Sequence, residues 1–337
     1  MTTVLLVAAL ALAAAFAFLN GFRDVSTAVA VAVRTRALTP TVAVLLACLF
    51  NVLGALLSVT FATAMREKLF TLPTGEDGLG LLIAGLAGAC LWGVHQWWRG
   101  YPSSSTHALI GSLAGASLAS LLVGESPLQG LDTTVLTLVV LPLLLSPVIA
   151  LALSYVAVFP AMWAARNAQP NYVNRRVRRM QSVAAAAVAF GHGLQDGART
   201  TTMVLLALAA ASLAGGTGAV PLWVPIFTAA MLGAGTLAGG WRVSHTLGTR
   251  LAKIDPMRGL VAQLVSAVML FIGAIALHLP LSTTHTVTSA TVGAGLNQRF
   301  TVINGPLVLR ILGAWVATPI VSALLGGILY LAISPII

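Results

Sequence analysis

Gly21-Phe22-Arg23-Asp24 in the first half of the chain is answered by Gly193-Leu194-Gln195-Asp196 in the second. Downstream, at closely matching separations, stand Pro102-Ser103-Ser104-Ser105-Thr106-His107 and Pro280-Leu281-Ser282-Thr283-Thr284-His285. An acid and a run of hydroxyls thus occur twice, in the same order, inside apolar sequence. One site assembled from two similar halves explains the pattern, and transporters are built that way.

The setting is a membrane. Of 337 residues, 58% are hydrophobic and 8% charged, against roughly 25% charged in a soluble domain. No soluble fold hides that much apolar surface, so the surrounding solvent is lipid. In a soluble protein the net charge of +10 would suggest nucleic acid. Here the basic residues sit in short loops, where they report membrane orientation, and no nucleic-acid partner is expected. Cys48 and Cys90 lie in apolar runs and form neither a disulfide framework nor a metal spacing. Residues 1–19 look like the core of a signal peptide but lack a basic start and run straight into the first motif. They are read as a retained helix.

Apolar segments fall near 3–20 (continuing, broken, to 33), 41–64, 79–98, 103–122 and 133–159, then near 182–212, 221–240, 259–278, 283–297 and 306–335. Most can cross a core of about 30 Å at about 1.5 Å per residue. Between the two sets, Arg166, Arg175, Arg176, Arg178 and Arg179 stand without an acid, which marks a cytoplasmic loop. The basic loops 34–40 and 241–258 belong on the same side. Loop 66–80, with Glu67, Glu76 and Asp77, belongs outside, as do loop 123–132, with Glu125 and Asp132, and loop 211–220. The expected organisation is a first repeat over 1–164, a basic cytoplasmic linker over 165–181 and a second repeat over 182–337. The halves have opposite orientation and both termini lie outside. The fold class is an all-α polytopic membrane protein: two inverted-topology repeats whose broken helices or helical hairpins meet near the midplane. A hairpin with legs near 80–100 and 107–122 is favoured over a broken crossing at 102–106.

Six of the eight acids fall in loops; only Asp24 and Asp196 lie within long apolar segments. A carboxylate in a bilayer costs at least a few kcal/mol unless paired or hydrated. Arg23 invites a structural salt bridge at one of them, but matching positions in both halves favour a cation or proton site. Glycines flank both acids. They predict either an unwound turn that frees carbonyls for a cation or close helix packing. Proline followed by Ser/Thr predicts a helix start, with proline in the first turn and a hydroxyl cap. Ser104, Ser105 and Thr106, with Ser282, Thr283 and Thr284, then offer hydroxyls and free N–H groups to a tetrahedral oxyanion. His107 and His285 either tune that site or relay protons, or are satisfied buried histidines; His192 has the same two readings. His95, His245 and His278 have no repeat counterpart.

These motifs resemble the inorganic phosphate transporter (PiT) family of phosphate–cation symporters. Asn20-Gly21-Phe22-Arg23-Asp24 and the stretch from Phe190 to Thr200 are similar to the family's two acid signatures. Residues 101–111 and 279–295 look like its two Pro/Ser/Thr/His stretches. The run from Gly235 to Arg242, then Thr246 to Arg250 and Asp255-Pro256, also reads as family sequence. The resemblance implies phosphate held between the two hydroxyl clusters. It also implies sodium or protons coupled at Asp24 and Asp196 with Asn20 and Gln195 beside them, the two aspartates being metal ligands if sodium is used. No cofactor is implied beyond that ion. The chain departs from the pattern at Arg23, Ser26-Thr27, Gln195 and Arg199. Arginine cannot coordinate a cation. Arg23 is therefore read as a fixed charge in place of one bound cation, and Arg199 as a second residue tuning the site.

The expected function is phosphate import across the cell membrane by sodium- or proton-coupled symport with alternating access. A sulfate permease of the same fold stays open, because both substrates are tetrahedral oxyanions. A membrane enzyme is disfavoured, since the chain has no zinc-protease helix motif, Gly-x-Ser-x-Gly or metal spacing. A channel has little use for buried paired acids. The partners expected are phosphate and the lipid bilayer. A homo-oligomer stays open, and a regulator would be a separate protein because the loops are short.

Overall fold

The computed structural model describes residues 1–68, 71–128, 137, 140–213, 220–298 and 303–337, with the backbone alone at 25, 26, 67 and 68. Asp132, one of the expected outside acids, lies beyond the described residues. The described chain is almost wholly helical: α1 (Thr2–Arg34), α2 (Pro40–Leu56), α3 (Val59–Lys68), α4 (Glu76–Arg99), α5 (Ser105–Leu122), α6 (Leu141–Ala165), α7 (Pro170–Ala210), α8 (Trp223–Ala238), α9 (Trp241–His245, continued by Thr246–Leu251), α10 (Pro256–Phe271, extended by Ile272–Ala276), α11 (Thr283–Leu296) and α12 (Gly305–Ile333). Six helices are long and apolar enough to cross a membrane. Two bent pairs, α2–α3 at 54° and α8–α9 at 59°, raise the number to eight among the described residues.

Three expected boundaries move. The segment 41–64 is two helices, bent at Leu57-Ser58. Much of the expected loop 241–258 is helical up to Leu251. Most of the expected linker 165–181 is helix as well: only residues 166–169 separate α6 from α7, which begins at Pro170 and runs unbroken for 41 residues. Proline at the first helical position suits a helix start, and nothing after it breaks the backbone pattern. Arginines mark the side of a loop, but they are good helix formers and do not mark a break.

The packing repeats itself with the halves exchanged. α1 packs on α8, and α7 packs on α2. α5 packs on α12, and α11 packs on α6. The pairs α4–α5 and α10–α11 also match, while α1 meets its counterpart α7 directly. The two sets of pairings correspond element for element. The α4–α5 pair is the expected hairpin, its legs antiparallel, with Gly85 against Leu113 and Gly88 against Ser112.

Small residues make the close crossings possible, because lipid offers no hydrophobic drive for helices to associate. Gly21 lies on the α8 backbone at Leu232 and Thr236, and Gly193 on the α2 backbone at Asn51. Between α5 and α12, Gly111 faces Pro319, Gly115 faces Ala323 and Gly326 faces Ser112. Large apolar side chains point outward instead, as at Leu144, Val148, Val316, Ile320 and Ile328.

Gly326→Leu is expected to separate α5 from α12. Overpacking of this kind costs about 1–3 kcal/mol, seen as a lower thermal midpoint of the purified protein in detergent. Gly313→Ala, whose added Cβ meets nothing within 4 Å, should not lower the midpoint.

Candidate functional site

The acids sit in continuous helix. Asp24 lies in the middle of α1 and Asp196 in the middle of α7, with no unwound turn at either. The flanking glycines are there for packing: Gly193 and Gly197 let α2 approach at Asn51 and Ala55. Of the two readings of these glycines, close packing is the one the helices adopt.

The hydroxyl clusters do start helices. Ser104 caps α5 and accepts from the His107 N–H at 3.2 Å, and Ser282 caps α11 and accepts from the His285 N–H at 3.2 Å. The prolines stand two residues before the caps, outside the helices, rather than in the first turn. There they leave the carbonyl of Pro102 to accept from the Trp315 indole at 2.8 Å. The two helix starts meet. His107 and His285 stack with ring centroids 4.9 Å apart, and His285 stacks on Trp315 at 3.9 Å.

The position before each acid holds its own repeat's hydroxyl loop. Arg23 donates to the Ser103 carbonyl at 2.8 Å. Gln195 accepts from the Leu281 N–H at 3.1 Å and donates to the Leu279 carbonyl at 3.4 Å. Both ends of the Gln195 amide therefore serve backbone groups. Asn20 is buried, and its amide nitrogen has no partner.

Other contacts cross between repeats. Thr284 donates to Asp24 at 3.4 Å, while Arg23 lies 3.4 Å from the same carboxylate oxygen. Arg199 is ion-paired with Asp196 and donates to the hydroxyls of Ser105, at 3.0 Å, and Thr106. Its Nε also donates to the Gln195 carbonyl at 3.2 Å. His192 bridges the acids, its Nε2 3.0 Å from Asp196 and 4.0 Å from Asp24. All of Asp24, Asp196, Arg23, Arg199, His192 and the six hydroxyl residues are buried.

A short polar chain fixes the histidine. Thr236 donates to the Leu232 carbonyl at 2.9 Å and so accepts from the Asn51 amide nitrogen at 3.0 Å. That turns the Asn51 oxygen toward His192 Nδ1, 3.0 Å away. Nδ1 therefore carries a hydrogen, an orientation assigned from the network, and Nε2 is the nitrogen facing both carboxylates. Ligand atoms of Asp24, His192 and Asp196 all lie within 4.8 Å of one another, close enough to surround one small cation.

Beside Thr106 and Arg199 a pocket of about 10 Å³ is open, room for one water at most, and a separate, mostly apolar recess of about 560 Å³ is lined by His107, His285, Ser289 and Trp315. Sequence reasoning assigned no role to Asn51, Thr236 or Trp315; the available signals were a lone asparagine in the apolar run 41–64 and the place of Thr236 in the family-like run from Gly235 to Arg242.

This arrangement has known likenesses. The model of the phosphate transporter family matches residues 20–326. A probable low-affinity inorganic phosphate transporter of Rhizobium meliloti is 37% identical, covering 97% of this chain and 96% of its own. One of the same description from Bacillus subtilis is 34% identical over 96% of each. A solved structure described as the sodium-dependent phosphate transporter superposes with a TM-score of 0.83 over 99% of this chain and all of its own; at 21% identity it shows the fold alone. The family match covers both acid signatures and both capped hydroxyl clusters, and on that ground the chain belongs to the phosphate transporter family: it is a multi-pass membrane transporter, not an enzyme.

Proposed function

We propose that the protein imports inorganic phosphate across the plasma membrane by proton-coupled symport with alternating access. The observation that carries this reading is Arg199, which is paired with Asp196 and bonded to the Ser105 and Thr106 hydroxyls at once. An arriving phosphate competes for the same guanidinium and the same hydroxyls. It also finds the Thr283 and Thr284 hydroxyls and the unused N–H groups at the starts of α5 and α11. Arg199 can turn from carboxylate to phosphate, since its planar fork suits both.

Charge balance then sets the coupling. Arg23 and Arg199 offset Asp24 and Asp196, so the empty site is close to neutral. Adding an oxyanion to a buried neutral site requires added positive charge. His192 Nε2, facing both carboxylates, is where one proton balances the load. Sodium among Asp24, His192 and Asp196 is the competing reading, and the two guanidiniums already beside those carboxylates disfavour it. A carboxylate acceptor also favours phosphate over sulfate, because hydrogen phosphate has an O–H to donate and sulfate has none.

Alternating access is the reading that the tight packing beside Thr106 and Arg199 supports: with room there for one water at most, an ion reaches those groups only when the two capped hairpins part toward one side. The matched packing of helices from the two halves supports two such openings, one per repeat, as an inverted repeat requires. The arginines at the start of α7 put that end in the cytoplasm by the positive-inside rule, with both termini outside.

The test is counterflow of labelled phosphate into liposomes loaded with unlabelled phosphate or sulfate. Exchange against phosphate and little against sulfate is expected; exchange of sulfate alone would overturn the substrate. Arg199→Gln removes a charged hydrogen bond worth about 1.5–3 kcal/mol, so phosphate affinity should fall roughly tenfold or more. Unchanged affinity would move the anion elsewhere. Asp196→Asn should express normally yet fail to accumulate phosphate against a gradient; near-normal accumulation would make Asp196 structural. Ser105→Ala combined with Thr283→Ala should weaken phosphate binding more than coupling. Equal loss of both would mean that the clusters hold the fold.

A further inference from the structure

The arginines at the start of α7 do more than mark a side. Arg175, Arg178 and Arg179 converge with Asn171, Asn174 and Ser182 on one recess of about 510 Å³, which Ala37 of the loop between α1 and α2 also lines. Ser182 lies 3.3 Å from the Ala37 carbonyl and ties that loop to α7. Among the described residues no carboxylate pairs with these three arginines, and Arg178 Nε is buried with no partner. Asp255 heads the neighbouring helix α10, but its carboxylate is taken by Arg258. Arg176 turns away to the Tyr172 hydroxyl at 2.8 Å.

We propose that this recess binds the phosphate group of an anionic phospholipid. Arginines that only record orientation spread over a surface; here three share one pocket with three neutral polar side chains, which is how a phosphate oxygen set is held. The depth fixes the source. Immediately along α7 the exposed surface turns apolar at Met180 and Val183. Exposed Trp163, with Arg166 over its ring at 4.3 Å, and exposed Tyr172 form an aromatic girdle at the same end. Aromatic girdles sit at headgroup level, so the recess opens where lipid phosphates lie. Three unpaired arginines favour an anionic headgroup over a zwitterionic one, whose ammonium they repel. A lipid seated there clamps the α1–α2 loop of one repeat to α7, the helix that carries Asp196 and Arg199 of the other.

The test uses the purified full-length protein in detergent. Dioleoyl phosphatidylglycerol should raise the thermal midpoint by roughly 2–4 °C, phosphatidylcholine should not, and native mass spectrometry should show phosphatidylglycerol retained in preference to phosphatidylcholine. Arg175→Gln with Arg178→Gln and Arg179→Gln should lose both the shift and the retention, while Arg176→Gln keeps them. Should the triple variant not fold, Arg178→Gln alone is expected to weaken retention several-fold. Equal stabilisation of wild type and triple variant by phosphatidylglycerol would overturn the proposal. So would equal retention of the two lipids by the wild type. A midpoint shift with inorganic phosphate that the triple variant loses, with no lipid effect in either protein, would assign the recess to the free ion and also overturn it.

Discussion

Charge that has left water must be balanced inside the protein, and the rest of this structure is arranged around that balance. Asp24 and Asp196 lie in the middle of apolar helices, and each has a guanidinium beside it. Neither arginine is only a counter-ion. Arg23 holds the carbonyl of Ser103 and Arg199 holds two hydroxyls across the repeat boundary. The neutralising groups are therefore also the groups that fix the hydroxyl loops, so a change of charge in the site is a change of geometry. On this account that link is the basis of coupling: an oxyanion cannot enter without disturbing Arg199, and Arg199 cannot move without exposing Asp196.

The matched packing of helices from the two halves brings these groups together. α1 and α7 can touch because glycine lets each lie against the backbone of the other repeat's second helix. The hairpins α4–α5 and α10–α11 then put two capped helix starts end to end, with His107 stacked on His285 and Trp315 behind them. The symmetry is incomplete where the chemistry is. Arg23 in one half answers Gln195 in the other, and Asn20 answers His192. The chain from Thr236 through Asn51 to His192 crosses between the halves and ends on the one histidine of the pair.

Much of this was legible in the sequence. The duplicated acid and hydroxyl motifs predicted a site shared between two halves. The serine caps fell where the Pro-Ser/Thr runs put them, and the hairpin was the favoured arrangement. Glycine beside the acids was ambiguous, because an unwound turn and a close crossing ask for the same residue; only the neighbouring backbone decides. The basic stretch before residue 182 was read as linker since its charge marks a loop side, yet arginine tolerates helix and Pro170 starts one. Asn51 and Thr236 were assigned no role because each is a single polar residue in an apolar run, with no counterpart in the other repeat. Long-range partners of that kind have no local signature.

The central claim is that a proton accompanies phosphate. It is tested most directly by liposomes holding the purified protein and a trapped pH dye, in sodium-free medium, with phosphate added outside as the driving gradient. The account predicts lumenal acidification that tracks phosphate entry and is lost in His192→Gln, while that variant still exchanges phosphate by counterflow. Phosphate entry that leaves the lumenal pH unmoved and requires sodium would contradict it.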